Sequence, residues 1–243
     1  MRARLDLCLV ARGLAPSREK AQRLILAGAV RRNGQVARKA SEPVDDATCL
    51  TVTAAEKFVS RGGHKLEAAL TAFHLTCDGA VCVDLGASTG GFTDCLLQQG
   101  ARRVHAVDVG QGQLDWKLRQ NSRVVVHDRC NARQIAPAAI GEPADIVTID
   151  VSFISLTKVL PAAVTLLRPG GTLVALIKPQ FEAGRKDVKK GGVVRNSDVH
   201  ARVTAEISRF ATATLGLRQL GLIESPLLGP AGNKELLIAW ARP

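Results

Sequence analysis

Residues 84–92 read Asp-Leu-Gly-Ala-Ser-Thr-Gly-Gly-Phe and follow the apolar run Ala80-Val81-Cys82-Val83. Such a run, breaking into glycines and then into helix-forming residues, predicts a buried strand that feeds a tight turn and a helix. A second apolar run, Val104 to Val107, ends in Asp108. A glycine turn after one strand and a carboxylate at the tip of the next is how a doubly wound sheet holds a nucleoside. The turn departs from the G-x-G-x-x-G spacing of dinucleotide sites, because its glycines are Gly86, Gly90 and Gly91, with Asp84 ahead of them. A carboxylate at Asp84 opposes a pyrophosphate. It suits a ligand with a cationic end, such as the amino acid part of S-adenosylmethionine; a nicotinamide enzyme and a plain structural turn are the alternatives.

The pattern around this turn alternates. Strands are predicted near 80–85, 103–108, 123–127, 144–149, 172–177, 217–223 and 234–241, with helices near 64–73, 91–99, 112–120, 154–167 and 197–215. Alternation of this kind predicts an α/β, Rossmann-like fold with a seven-stranded, mostly parallel sheet covered on both faces. The last two strands, joined by Pro226 to Gly232, are expected to form an edge with one antiparallel member.

Ahead of this region the chain changes character. Net charge is +11 over 243 residues, and residues 1–39 hold ten Lys/Arg against only Asp6 and Glu19. A polyanion-binding face is favoured there over a merely soluble basic head or a lipid-binding one. Leu5 to Val10 predicts a short helix with a stop at Gly13, Ser17 caps a second helix ended by Gly28, and Asn33-Gly34 predicts a hairpin within Val30–Val36. Leu50-Thr51-Val52 reads as a last short strand. Leu24, Ile25 and Gly28 are expected to face inward. This order resembles a small α+β S4-type RNA-binding domain over residues 1–53, on Arg4-Leu5-Asp6, Ser17-Arg18-Glu19-Lys20-Ala21, Leu24 to Val30 and Asn33-Gly34. Residues 54–61 form an expected linker, and 62–243 the second domain.

Several classes are disfavoured. No apolar stretch reaches the ~20 residues of a membrane helix, and the N-terminus is a poor secretory signal. The six cysteines form no C-x-x-C pair, so reduced packing residues of a cytoplasmic protein are expected. The five histidines lack ligand spacing, and no metal is expected.

In a doubly wound sheet, ligands sit beyond the carboxyl ends of the strands. Those ends carry Asp84 and Gly86, Asp108, Asp128 with Asn131, Asp150 followed by Ser152-Phe153, Lys178-Pro179-Gln180-Phe181, and in the final turn Asn233-Lys234-Glu235. Lys178 ends the apolar run Leu173 to Ile177, so it is expected to be partly desolvated and near Asp150. A lysine that snorkels to solvent is the alternative.

Ser60-Arg61-Gly62-Gly63-His64-Lys65-Leu66, Gly86 to Thr93, Gly112-Gln113-Leu114, Asn131-Ala132-Arg133, Asp150 to Leu156, Lys178-Pro179-Gln180-Phe181-Glu182, Gly192-Val193-Val194 and Gly232-Asn233-Lys234-Glu235 together resemble the TlyA (hemolysin A) family. The resemblance spans essentially the whole chain. It implies an S4-type domain ahead of an FtsJ-like, class I S-adenosylmethionine-dependent methyltransferase domain. The implied activity is 2′-O-methylation of a cytidine ribose in ribosomal RNA. It implies a catalytic tetrad on Lys65, Asp150, Lys178 and Glu235. It implies a cofactor pocket on Asp84, Gly86, Ala87, Ser88, Thr89, Gly90, Gly91 and Phe92, with Asp108 at the ribose, Asp128 and Asn131 near the adenine, and Asp150 near the sulfonium. Glu56-Lys57-Phe58-Val59 corresponds to the family's interdomain linker, where a tryptophan can stand in place of Phe58.

The expected partner is ribosomal RNA or a ribosomal subunit, gripped by Arg4, Arg18, Lys20 and Arg23. Arg133 is expected to extend the track; Arg185, Lys186, Lys189 and Lys190 either extend it or form a charged loop. A monomer is expected. Lys178 is expected to contact the 2′-oxygen as base or as electrostatic stabiliser, with Asp150 orienting it and Lys65 and Glu235 positioning the hydroxyl. The compact ends of the chain suggest the shorter, large-subunit-only branch. Rival readings are an RNA-binding factor without catalysis, a small-molecule methyltransferase and a pore-forming hemolysin.

Overall fold

A computed structural model describes residues 3–26, 28–53, 57–184, 186–188 and 191–243. Arg185, Lys189, Lys190 and Glu56, named above, lie outside the described residues. The chain divides into two compact units, Met1–Lys57 and Phe58–Pro243.

The first unit runs β1 (Ala3–Arg4), α1 (Leu5–Ala11), α2 (Arg18–Leu26), β2 (Val30–Arg32), β3 (Gln35–Val36), β4 (Pro43–Val44) and β5 (Leu50–Val52). Leu5 and Leu9 of α1, Ala21 and Ile25 of α2, and Val30 and Leu50 of the strands form its core. The α2 start is capped as predicted, with Ser17 Oγ accepting from the Lys20 N–H at 3.2 Å. The hairpin turns at Asn33 and Gly34 with φ of 49° and 81°, the two left-handed positions that an Asn-Gly turn supplies. Two details differ from expectation. Gly28 is exposed rather than inward, and the β1–β4 pairing is too short to leave a period in the sequence.

The second unit is built on one seven-stranded sheet. Its strands are β6 (Val81–Leu85), β7 (Arg103–Val107), β8 (Val124–His127), β9 (Ala144–Ile149), β10 (Leu167–Ile177), β11 (Arg218–Glu224) and β12 (Leu236–Ala241). Their order is β11-β12-β10-β9-β6-β7-β8, and β12 runs antiparallel to both its neighbours. Order reverses beside β6, the switch point at which such sheets open a crevice for ligands. The helices are α3 (Gly62–Ala72), α4 (Gly91–Gln98), α5 (Trp116–Arg119), α6 (Pro137–Ile140), α7 (Leu160–Leu166), α8 (Pro179–Glu182) and α9 (Ser197–Arg209).

Every residue of β6 is buried, as expected of a central strand covered on both faces. One face packs Val83, Leu85, Val147 and Leu173 under α7 and α9. The other packs Cys82, Val104 and Val174 under α3 and α4, with Leu66, Leu70 and Leu96. Residues 58–61, expected in the linker, pack within this unit. Phe58 is 2% exposed and its ring stands edge-on to His64 with centroids 5.0 Å apart. The helix expected over 112–120 is reduced to one turn because Gly112, at φ 71°, and Asp115, whose side chain accepts from the Lys117 N–H at 2.8 Å, delay its start.

Candidate active site

The β6–α4 turn is shaped by what a side chain would strike. Gly86 has φ 88°, and a Cβ there would lie 2.5 Å from the Asp150 carbonyl oxygen. Only glycine lets the two strand ends come this close. A Cβ at Gly91 would lie 2.9 Å from the Gly63 nitrogen and would strike the Ser60 hydroxyl. The start of α4 therefore rests directly on the start of α3, the helix that carries Lys65. Asp108, at the tip of β7, holds the turn from the other side. Its two oxygens accept from the Ser88 N–H at 2.8 Å and the Gly110 N–H at 2.7 Å.

Two cavities open over the carboxyl ends of β6, β9 and β10. One, about 300 Å³, is lined by Lys65, Ala87, Thr89, Gly91, Phe92 and Lys178 among others. The other, about 500 Å³, is lined by Asp108, Gln113, Asn131, Arg133 and Phe153 among others. Gly86, Ser88, Asp150 and Ser152 line both. They are two lobes of one cleft, and Asp150 stands at their junction.

At that junction Lys178 Nζ lies 2.6 Å from Asp150 Oδ1 and donates to Ser152 Oγ at 2.9 Å. The contact with Asp150 is an ion pair rather than an aligned hydrogen bond. Lys178 is 9% exposed, so the expected alternative of a lysine reaching into solvent does not describe it. Beside this pair, Lys65 Nζ lies 2.5 Å from Glu235 Oε2. Glu235 is 1% exposed, and its other oxygen has no hydrogen-bond partner among the described residues. This buried carboxylate keeps one acceptor unspent, a cost to the fold. Glu235 does not itself line either lobe; it touches Lys65, which lines the smaller one.

Two carboxylates expected to face the cofactor are used otherwise. Asp84 is wholly buried. It accepts from Thr93 Oγ1 at 2.7 Å and Thr148 Oγ1 at 3.1 Å, and burial pushes its carboxyl up to about 7. It braces the turn from beneath rather than touching the cleft. Asp128 is taken by Arg119, at 2.8 and 2.9 Å, which holds its carboxyl below the usual carboxylate range. Asn131 lines the larger lobe in its place. Gly90 is likewise absent from both linings. Its φ of 98° turns the chain into α4.

Ser152, expected at the end of the fourth strand, is the partner of Lys178. Leu227 and Leu228, which the sequence does not single out, line the smaller lobe. Phe153 is 90% exposed, has φ 64° and lies 4.9 Å from Phe181 between ring centroids. A bulky residue in this region is strained, and strain of this kind gathers at functional sites.

In the first unit the expected RNA-binding cations are partly committed. Asp6 is wholly buried and draws Arg4, Arg18 and Gln22 around it at 2.9–3.0 Å. The Arg4 guanidinium, with the Arg18 and Gln22 hydrogen bonds, holds the Asp6 carboxyl well below the usual carboxylate range. Arg23 pairs with Glu19. Lys20 is exposed. Arg133 is exposed on the second unit, on the wall of the larger lobe. No cluster of three or more His, Cys, Asp or Glu side chains suited to a metal occurs among the described residues.

Comparison with known proteins agrees with this architecture. The FtsJ-like methyltransferase family model matches residues 58–242, and the S4 domain model matches residues 3–47. A Mycobacterium tuberculosis protein named 16S/23S rRNA (cytidine-2'-O)-methyltransferase TlyA is 50% identical over 243 residues, covering 99% of this chain and 90% of that one. Hemolysin A of Brachyspira hyodysenteriae is 41% identical, covering 96% of this chain and 98% of its own. A solved structure described as "Putative hemolysin from Streptococcus thermophilus" is 43% identical, covers 99% of this chain and 88% of that one, and superposes with a TM-score of 0.76. The chain therefore belongs to the TlyA (hemolysin A) family and joins an S4 domain to an FtsJ-like methyltransferase domain.

Proposed function

We propose that this protein transfers a methyl group from S-adenosylmethionine to the ribose 2′-oxygen of a cytidine in ribosomal RNA. The reading is carried by the convergence of Lys178, Asp150 and Ser152 where the two lobes of the cleft meet. The residues fit the cofactor: Gly86 admits close approach to backbone, and Asp108 presents two fixed oxygens, each with lone-pair capacity beyond its one backbone bond. S-adenosylmethionine supplies an electrophilic methyl on a sulfonium. Asp108 would hold its ribose hydroxyls, Asn131 would lie by the adenine, and Ser88, Thr89 and Gly91 would border its amino acid end.

A ribose hydroxyl is a weak nucleophile, so placement and help with one proton are what a protein can add. Lys178 would contact the 2′-oxygen and stabilise the negative charge that grows on it, as the hydroxyl proton passes to solvent at the open cleft and the new O–C bond replaces the donor's S–C bond. Asp150 fixes Lys178 and would face the sulfonium end of the cofactor. Lys65, steered by Glu235, positions the hydroxyl within the smaller lobe. Phe153 offers its exposed face to the target base. Arg4, Arg18, Lys20 and Arg23 of the first unit dock the RNA, with Asp6 fixing the first two in place, and Arg133 adds a phosphate contact beside the cleft.

The relative from M. tuberculosis is named for both 16S and 23S RNA. On that likeness we assign both subunit RNAs as targets, in place of the large-subunit-only expectation drawn from the ends of the chain. The test is nucleoside mass spectrometry of both ribosomal RNAs from cells with and without this protein. A 2′-O-methylcytidine that appears in each RNA only with the protein supports the reading; methylation confined to a base or to a small molecule contradicts it. No helix among the described residues is long and apolar enough to cross a membrane.

A further inference from the structure

The chain has two tryptophans and no tyrosine. Trp240 is wholly buried in β12, whereas Trp116, the first residue of α5, is 63% exposed. An indole left this far in water has a large apolar face uncovered, and its position is not accidental to the cleft. The segment that carries it is pinned from three sides. The Asp115 N–H donates to the Thr89 carbonyl at 3.1 Å, and Thr89 lines the smaller lobe. Leu114 and Leu118 are buried and fill the space where a Cβ on Gly90 would otherwise stand. Upstream, Val109 and Gln113 line the larger lobe. Trp116 therefore sits on a rigid ledge within a few residues of both lobes, while its own ring lines neither.

The ledge is cationic where it is free. Its acids are engaged, Asp115 as the helix cap and Asp128 with Arg119. Lys117, next to Trp116, and Arg129, next to Asp128, are exposed and make no ion pair among the described residues; the Arg129 guanidinium donates to Gln111 Oε1 on the same ledge, which leaves its charge unneutralised. The Arg129 N–H donates to the Gly110 carbonyl at 2.9 Å, which ties this cation to the same ledge. An exposed aromatic face on a ledge that carries exposed cations is the surface that binds single-stranded nucleic acid, the ring stacking a base and the cations holding phosphates.

We propose that Trp116 is a stacking platform for an unpaired nucleotide of the substrate RNA that flanks the target nucleotide. Lys117 and Arg129 hold the phosphates on either side of that nucleotide. The inference rests on the RNA methyltransferase reading above. It adds a contact that raises affinity for RNA strands opened around the target and leaves the chemical step alone.

Trp116 reports on itself, because Trp240 is shielded from solvent. Tryptophan fluorescence of the full-length protein is titrated with oligocytidylate and with large-subunit ribosomal RNA transcribed without ribosomal proteins. Both are expected to quench the emission and to protect it from acrylamide. Trp116→Ala should raise the Kd for the transcript about ten-fold, from the usual strength of base–aromatic stacking, and Trp116→Phe should recover most of it. Cofactor affinity and the single-turnover methyl-transfer rate at saturating RNA should stay within two-fold of the wild type. Unchanged emission, or a Trp116→Ala protein with wild-type RNA affinity, overturns the stacking role. So does quenching seen only with intact ribosomal subunits, which would assign the indole to a protein contact. In each of those cases methyl transfer to RNA by the wild type would leave the broader function standing. A wild type that quenches with RNA yet methylates none would instead sink the function and keep the platform.

Discussion

At the scale of single residues, chemistry depends on which oxygen meets which donor. Asp6, Asp84, Asp128 and Asp150 are all acids near element ends, yet each does something different. Asp6 gathers two guanidinium groups and an amide. Asp84 braces two threonines, Asp128 clamps Arg119, and only Asp150 reaches Lys178. Replacing Asp6 by Asn should cost about 2 kcal/mol of first-unit stability at pH 7, the scale of charged hydrogen bonds lost. Its carboxyl is depressed on folding, so its contribution is present above the ordinary carboxylate pKa and fades as pH falls below about 4. Denaturant titrations from pH 7 to pH 2.5 should show the two proteins converging at the acid end; a constant gap would contradict the assignment. Strand-end position made Asp84, Asp128 and Asp150 candidates from sequence. It could not distinguish a carboxylate beneath the turn from one above it, because both follow the same kind of apolar run. Ser152 was placed at its strand end, but its pairing with Lys178 was not legible, since a serine after a strand carries no mark of its partner.

At the scale of elements, the second unit was legible because its central strands β6, β9 and the end of β10 are buried on both faces and so read as unbroken apolar runs. All seven expected strands are present, and the reversed member of the final pair is β12. The short helices were not legible. α6 and α8 have four residues each, fewer than a hydrophobic period needs in order to show. The close approach of α3 to α4 was also invisible, since Gly62-Gly63 and Gly90-Gly91 read only as breaks. That approach is what sets Lys65 beside the turn. Gly91→Ala should therefore cost about 1–3 kcal/mol through overpacking. It should also lower kcat for methyl transfer more than ten-fold, because a displaced Lys65 misplaces the hydroxyl. Thermal unfolding and steady-state kinetics read the two effects; wild-type kcat in a destabilised protein would separate the α3–α4 contact from the chemistry.

At the scale of the whole molecule, positive charge is concentrated where no catalytic residue lies. Residues 1–39 carry a net +8 out of +11, and the candidate catalytic residues all fall in the second unit. Changing Lys20, Arg31 and Arg38, all exposed, to Ala together should weaken RNA binding. It should also flatten the dependence of log Kd on log salt by about two to three units if each cation contacts a phosphate. Affinity for S-adenosylmethionine should not move, and equal loss of both affinities would make these cations a folding element. The account as a whole turns on the place where Asp150 and Lys178 meet. Single-turnover transfer of a tritiated methyl from S-adenosylmethionine to ribosomal RNA, in Lys178→Ala against wild type with both ligands saturating, tests it most directly. A rate lowered at least 100-fold, with cofactor affinity intact, is the predicted result; a Lys178→Ala protein that transfers methyl at a near-wild-type rate would contradict it.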